Sequence, residues 1–104
     1  MTGESAQRIE VQDVPERYRF EARLDGEVAG IAQYLRRPGR VIFTHTEVLP
    51  AFEGRGVGSA LAKGALDAVR AAGSQVEPRC PFISAYMRRH KEYADLMVAP
   101  VPRA

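Results

Sequence analysis

Glu53-Gly54-Arg55-Gly56-Val57-Gly58-Ser59-Ala60 sets three glycines on alternate positions. An apolar run from Val41 to Val48 leads into the segment, and a long Ala/Leu-periodic stretch follows it. At the start of a helix, glycines let the backbone approach a ligand closely. The first-turn N–H groups have no intrahelical partner there, and they converge at the positive end of the helix dipole. That is an anion site, suited above all to phosphate. Gly54, Arg55, Gly56, Val57, Gly58 and Ser59 are the candidate binding residues, for a phosphate-bearing cofactor or substrate.

Two common glycine loops do not fit these letters. A P-loop needs a Lys-Ser/Thr pair directly after its last glycine, to reach phosphates and Mg²⁺. Here Ser59-Ala60 follows, and Lys63 comes a helical turn too late. A dinucleotide-binding loop needs G-x-G-x-x-G within a parallel strand–helix–strand unit. The spacing Gly54-x-Gly56-x-Gly58 is wrong for that.

Three further side chains carry chemistry. His45 and Glu47 lie two residues apart on a strand, so they share one face. Either could take a proton from an amine, directly or through water; a hydrogen-bonded polar pair inside the sheet has the same spacing. Cys80, the single cysteine, stands immediately before Pro81, a favoured first residue of a helix. A free cysteine is commonly a small buried core residue. A thiol at a helix N-terminus, with Arg79 beside it, instead favours the reactive thiolate, as nucleophile or as a positioning group. No metal-ligand pattern accompanies these residues.

The elements that must position these groups read as follows. Ile9 to Val14 is a first strand, Tyr18 to Leu24 a second, and Asp25-Gly26 a tight hairpin turn. Glu27 to Leu35 returns, with Val28, Ile31 and Tyr34 expected in the core. After Arg36-Arg37-Pro38-Gly39, Arg40 to Val48 completes an antiparallel meander. A helix from about Gly56 to Ala72 follows, with Val57, Leu61, Ala65, Ala68 and Ala72 on its apolar face and Gly73 as its cap. Gln75 to Arg79 reads as a strand parallel to the one before the helix, and Pro81 to about His90 as a second helix. Met1 to Ala6 and Ala99 to Pro102 read as irregular tails. The order is β-β-β-β-α-β-α, an α/β (α+β) mixed sheet with the Gly-rich loop at a strand–helix junction.

Length and composition suit that scale. The 104 residues suffice for one domain, spanning 1–104 with a core of about 9–98. Hydrophobic residues make up 45% and charged ones 27%, ordinary for a soluble globule. The net charge of +2 is too balanced for nucleic-acid binding by bulk charge. A single cysteine precludes an internal disulfide and suits a cytoplasmic setting. The polar N-terminus and the short apolar runs suggest neither a signal peptide nor a membrane span.

In this order of elements, with Phe43 to Val48 as the strand, Glu53 to Gly58 as the loop and Ser59 to Ala72 as its helix, the chain resembles the GCN5-related N-acetyltransferase (GNAT) superfamily. It is most similar to a short single-domain GNAT-like family carrying H-T-E-V, G-x-G-x-G-S and C-P-F/Y motifs. Those stand here as His45-Thr46-Glu47-Val48, Gly54 to Ser59, and Cys80-Pro81-Phe82. The resemblance covers roughly Tyr18 to Leu96. It implies an acetyl-CoA-dependent N-acetyltransferase acting on a small-molecule or protein amine. It also implies that the cofactor's pantetheine arm pairs with the backbone of the fourth strand near Val48, and that the loop holds its pyrophosphate. Cys80, Glu47 and His45 become the candidate catalytic residues. Glu53 departs from the superfamily's Arg/Gln at that position, so backbone donors from Arg55 to Ser59 are expected to carry most of the binding. The closing hairpin of larger members is not evident, which leaves a CoA-binding module with little catalysis as the alternative. An RNA-binding loop of the Gly-x-x-Gly kind lies between two helices, whereas a strand precedes the loop here.

Overall fold

A computed structural model of the chain describes residues 8–98; the two expected irregular tails lie outside them. Five strands form one mixed sheet in sequence order: β1 (Ile9–Val14), β2 (Arg19–Leu24), β3 (Glu27–Arg37), β4 (Arg40–Val48) and β5 (Gln75–Pro78). β1 to β4 pair antiparallel, and β5 pairs parallel to β4 after a helical crossover. The helices are α1 (Val57–Ala71) and α2 (Pro81–Arg89).

Turn chemistry explains the meander. Asp25 and Gly26 take φ of 51° and 89°, the doubly left-handed conformation that suits the twist of a two-residue hairpin. Tyr18, expected to open β2, instead sits at φ 55° and closes a three-ten turn over Pro15–Arg17. β3 runs two residues further than the alternation suggests, to Arg37.

One face of the sheet carries the core. Phe20, Ala22 and Leu24 of β2, Ala32 and Tyr34 of β3, and Val41 and Phe43 of β4 pack there against Val57, Leu61, Ala62, Ala65, Leu66 and Val69 of α1. Phe20, Tyr34 and Phe43 form an aromatic cluster with centroids 5.3–6.4 Å apart. Of the three core contacts expected from β3, only Tyr34 is fully buried. A bulge between β2 and β3 shifts the register at Ala22/Arg23 and leaves Val28 half-buried; Ile31, an odd number of residues from Tyr34, pairs with Glu21 on the opposite face, while Ala29 and Ala32 fill the interior. On α1 the bulkier Leu66 and Val69 are buried, and Ala68 and Ala72 stay exposed. Gly73 caps α1 as expected: its N–H donates to Arg70 O and that of Ser74 to Val69 O, satisfying the last carbonyls.

The other sheet face has no helix on it among the described residues. Its buried charged residue is Glu21, 1% exposed, whose carboxylate accepts from Arg19 at 2.7 and 2.9 Å and from Arg23 at 3.0 Å. The arginine stems cover the carboxylate and their charges offset it.

Candidate functional site

β4 changes partners halfway along. Arg40 to Phe43 pair with Gln75 to Pro78 of β5. Pro78 has no N–H to extend the ladder. The N–H groups of Arg79 and Cys80 both donate to Phe43 O at 3.0 Å, and there the pairing ends. Beyond this point β4 is bonded on its β3 side only. The Leu49 N–H donates to Ala29 O at 2.8 Å, so alternation turns the N–H and C=O of Val48 and Thr46 the other way, toward the gap where β5 has stopped.

A second irregularity sets the side chains. Tyr34 faces Phe43 across the sheet and Gln33 faces His45, so Thr44 is an extra, bulged residue. Without it, His45 and Glu47 would lie on the core face with Phe43. The bulge reverses the parity. Thr46 and Val48 pair with Ala32 and Gly30 on the helix side, and His45 and Glu47 pair with Gln33 and Ile31 on the uncovered side. There the His45 Nε2 lies 3.5 Å from Glu47 Oε1, both side chains about half exposed. The pair is therefore not a buried sheet contact; it stands in solvent beside the gap.

The glycine loop closes the other end of that gap. Pro50–Phe52 makes a three-ten turn. Gly54 and Gly56 then take φ of 81° and 78°, a left-handed backbone that L side chains resist. Gly56 is the N-cap of α1, and the first intrahelical bond runs from the Ala60 N–H to Gly56 O at 3.0 Å. The N–H groups of Val57, Gly58 and Ser59 precede that bond and have no protein acceptor among the described residues. With Val48, Phe52, Glu53, Gly54, Gly56 and Phe82, these residues line a groove of about 270 Å³. The Arg55 side chain is exposed and does not line it.

Cys80 is the N-cap of α2 and only 2% exposed. Its Sγ donates to Thr46 Oγ1 at 3.1 Å, a contact that crosses from the β5–α2 junction to the free half of β4. The thiol thus lies on the helix side of β4, opposite His45 and Glu47. Arg79 does not join it: its guanidinium is held by Glu77 at 2.5 Å. The structure therefore brings Gly54, Gly56, Val57, Gly58, Ser59 and Val48 into one groove, leaving Arg55 outside it, and it divides the three proposed catalytic side chains between two faces of a strand.

Sequence reasoning missed Thr46, Phe52 and Phe82 as site residues. The fall of Thr46 on the opposite parity from His45 and Glu47 was available as a signal; the partners of Phe52 and Phe82 were not. Behind the groove, Tyr86 and Tyr93 pack in the core, and His90 stacks on Tyr86 at 3.9 Å. The Tyr93 hydroxyl donates to Asp67 Oδ1 at 2.7 Å, fastening the C-terminal segment to α1. Lys63 and, after it, Tyr93 hold the Asp67 carboxyl below its ordinary value. No group of three or more His, Cys, Asp and Glu side chains among the described residues could hold a metal ion. None of the described helices is long and apolar enough to cross a membrane.

Comparison with known proteins agrees with this geometry. A family model, GCN5-related N-acetyl-transferase, matches residues 19–96. No curated protein matches the chain in sequence. Among solved structures, a GCN5-like protein of Staphylococcus aureus is 18% identical with a TM-score of 0.65, covering 88% of this chain and 90% of that one. A ribosomal-protein-alanine N-acetyltransferase of Brucella melitensis biovar Abortus is 20% identical with a TM-score of 0.50, covering 83% of this chain and 64% of that one. At such identities the two structures speak for the fold.

Proposed function

The chain belongs to the GCN5-related N-acetyltransferase family and is an N-acetyltransferase by class; from that premise we propose that its donor is acetyl-CoA and its acceptor a primary amine. The observation that carries the reading is the meeting, in one groove, of the unpaired N–H groups at the start of α1 with the free edge of β4. The first suits a pyrophosphate and the second suits the amides of a pantetheine arm, which would pair there as an added strand. Val48 and Thr46 would offer their backbone groups, and Gly54 to Ser59 would hold the charge, with Arg55 near by. Glu53 lines the same groove, and the backbone donors must outweigh its carboxylate.

The bulged strand gives the reacting centre two approaches. An amine arriving from solvent on the uncovered face would meet Glu47 and His45, and Glu47 would accept its proton, directly or through water or His45. On the helix side, the Cys80 thiol is held by Thr46. Its burial suits a group that positions the acyl carbon or serves the departing sulfur. A nucleophilic Cys80 requires the Thr46 contact to open first.

Acetyl-CoA titrated into the protein should raise its melting temperature; at about 100-fold excess over Kd the ligand contributes roughly 2.7 kcal/mol. Acetylation of a panel of amines and lysine peptides, followed by mass spectrometry, tests transfer. No thermal shift and no calorimetric heat at millimolar acetyl-CoA would end the reading. Binding without transfer to any amine would leave a CoA-binding module.

A further inference from the structure

Gly58 has no conformational need to be glycine. Its neighbours Gly54 and Gly56 lie at positive φ, but Gly58 sits in ordinary helical backbone in the first turn of α1. What it lacks is room. A β-carbon there would come within 2.9 Å of Phe82 Cζ and 3.5 Å of Val48 Cγ2. The Phe82 ring, carried on the first turn of α2, therefore lies directly on the α1 backbone and faces Val48 across the groove.

That ring is also 36% exposed, unlike Ile83, Tyr86 and Met87 of the same helix, which are buried in the core. Its open face looks into the groove. One wall of the groove is thus a strand edge with free N–H and C=O groups, and the facing wall is an aromatic ring. At one end stand the unpaired N–H groups of Val57, Gly58 and Ser59. A ligand matching all three has amides for the edge, aliphatic carbon for the ring and a phosphate for the helix terminus.

We propose that Phe82 seats the amide-bearing arm of the cofactor against the free edge of β4, and that Gly58 is a glycine to seat this ring rather than to admit a phosphate. The proposal rests on the acetyl-CoA reading of the groove and adds to it a residue and a reason. An alanine at 58 would be too close only to the far end of the Phe82 side chain, its approach to Val48 being an ordinary contact, so the ring would swing into the groove and the fold would stand.

The test separates the arm from the nucleotide. Calorimetry is run with CoA and with the nucleotide half of CoA, which keeps the pyrophosphate and lacks the arm. Phe82→Ala should weaken CoA about tenfold, about 1.4 kcal/mol, and leave the nucleotide half unchanged. Gly58→Ala should weaken CoA in the wild-type background. Added to Phe82→Ala it should weaken CoA no further, because there is no ring left to displace. Equal weakening of both ligands by Phe82→Ala, or no weakening of either, overturns the role of the ring. Loss of the nucleotide half in Gly58→Ala, with or without Phe82, overturns the reason for the glycine. If neither ligand binds the wild-type protein, the acetyl-CoA reading itself falls.

Discussion

The two halves of β4 differ in composition, Val41-Ile42-Phe43 apolar and Thr44-His45-Thr46-Glu47 polar, and they differ as sharply in pairing. Arg40 to Phe43 are paired on both sides, and Val41, Ile42 and Phe43 are at most 5% exposed. His45 to Val48 are paired on one side, Thr44 is bulged, and the side chains of all five are exposed or half exposed. The boundary is made by two local events: the loss of a donor at Pro78 and the extra residue at Thr44. A paired, packed half contributes stability. A half-paired strand keeps unsatisfied backbone groups that only a ligand or water can meet. The comparison teaches that packing and an open hydrogen-bonding edge can be separated within one strand, and under the proposed function it predicts different failures for the two halves.

The largest effect is expected in the paired half. Phe43→Ala removes a fully buried ring from the cluster with Phe20 and Tyr34 and should cost about 3–5 kcal/mol, read by urea unfolding. If acetyl-CoA affinity of the folded fraction fell as far as stability, the two halves would not be separable.

A change at the loop should do the reverse. Gly56→Glu introduces a β-carbon at φ 78° and a carboxylate among the unpaired N–H groups proposed to hold an anion. We expect acetyl-CoA binding to weaken at least about a hundredfold, on the order of 2.7 kcal/mol, with a loss of stability of about 1–2 kcal/mol. Binding retained in this variant would move the phosphate elsewhere.

The unpaired half is sharpened by comparing its two faces. Glu47→Gln should lower kcat about a hundredfold with little change in acetyl-CoA affinity. Cys80→Ala should likewise keep binding and lose turnover. Acetyl-CoA alone should show by mass whether Cys80 takes up an acetyl group that hydroxylamine removes. An unlabelled, dispensable Cys80 would assign the chemistry to the uncovered face alone.

The smallest effect concerns a buried charge outside the site. The Arg19 side chain, aided by Arg23 and against burial, holds the Glu21 carboxyl below its ordinary 4.5. A carboxyl depressed in the folded state stabilises fully above its unfolded value; that contribution fades as pH falls through the lower folded value. Stability followed from pH 7 to pH 2 should therefore drop below about pH 4.5. Glu21→Gln should remove part of that acid limb and cost about 1–2 kcal/mol at neutral pH, since its arginine partners are part exposed. An unchanged limb would place the acid sensitivity in other carboxyls, such as Asp67.

What could be read along the chain was what neighbours in sequence decide. Asp25-Gly26 specifies its turn, Gly73 its cap, Pro81 the start of α2, and Gly54 to Ser59 the left-handed turn that opens α1. Each depends on a few dihedral angles within one segment, so the letters suffice; the strand spans and the order of elements follow from the same local patterns. What the tertiary structure decided was direction. Period-two counting keeps His45 and Glu47 together but does not say which face they share. That depends on an extra residue at Thr44, and a bulge is defined only by the strand opposite it. The contact between Cys80 and Thr46, the ring of Phe82 on Gly58 and the buried Glu21 share this character. Each joins segments whose mutual register is set by how the sheet packs on α1 and α2, and no single segment carries that information.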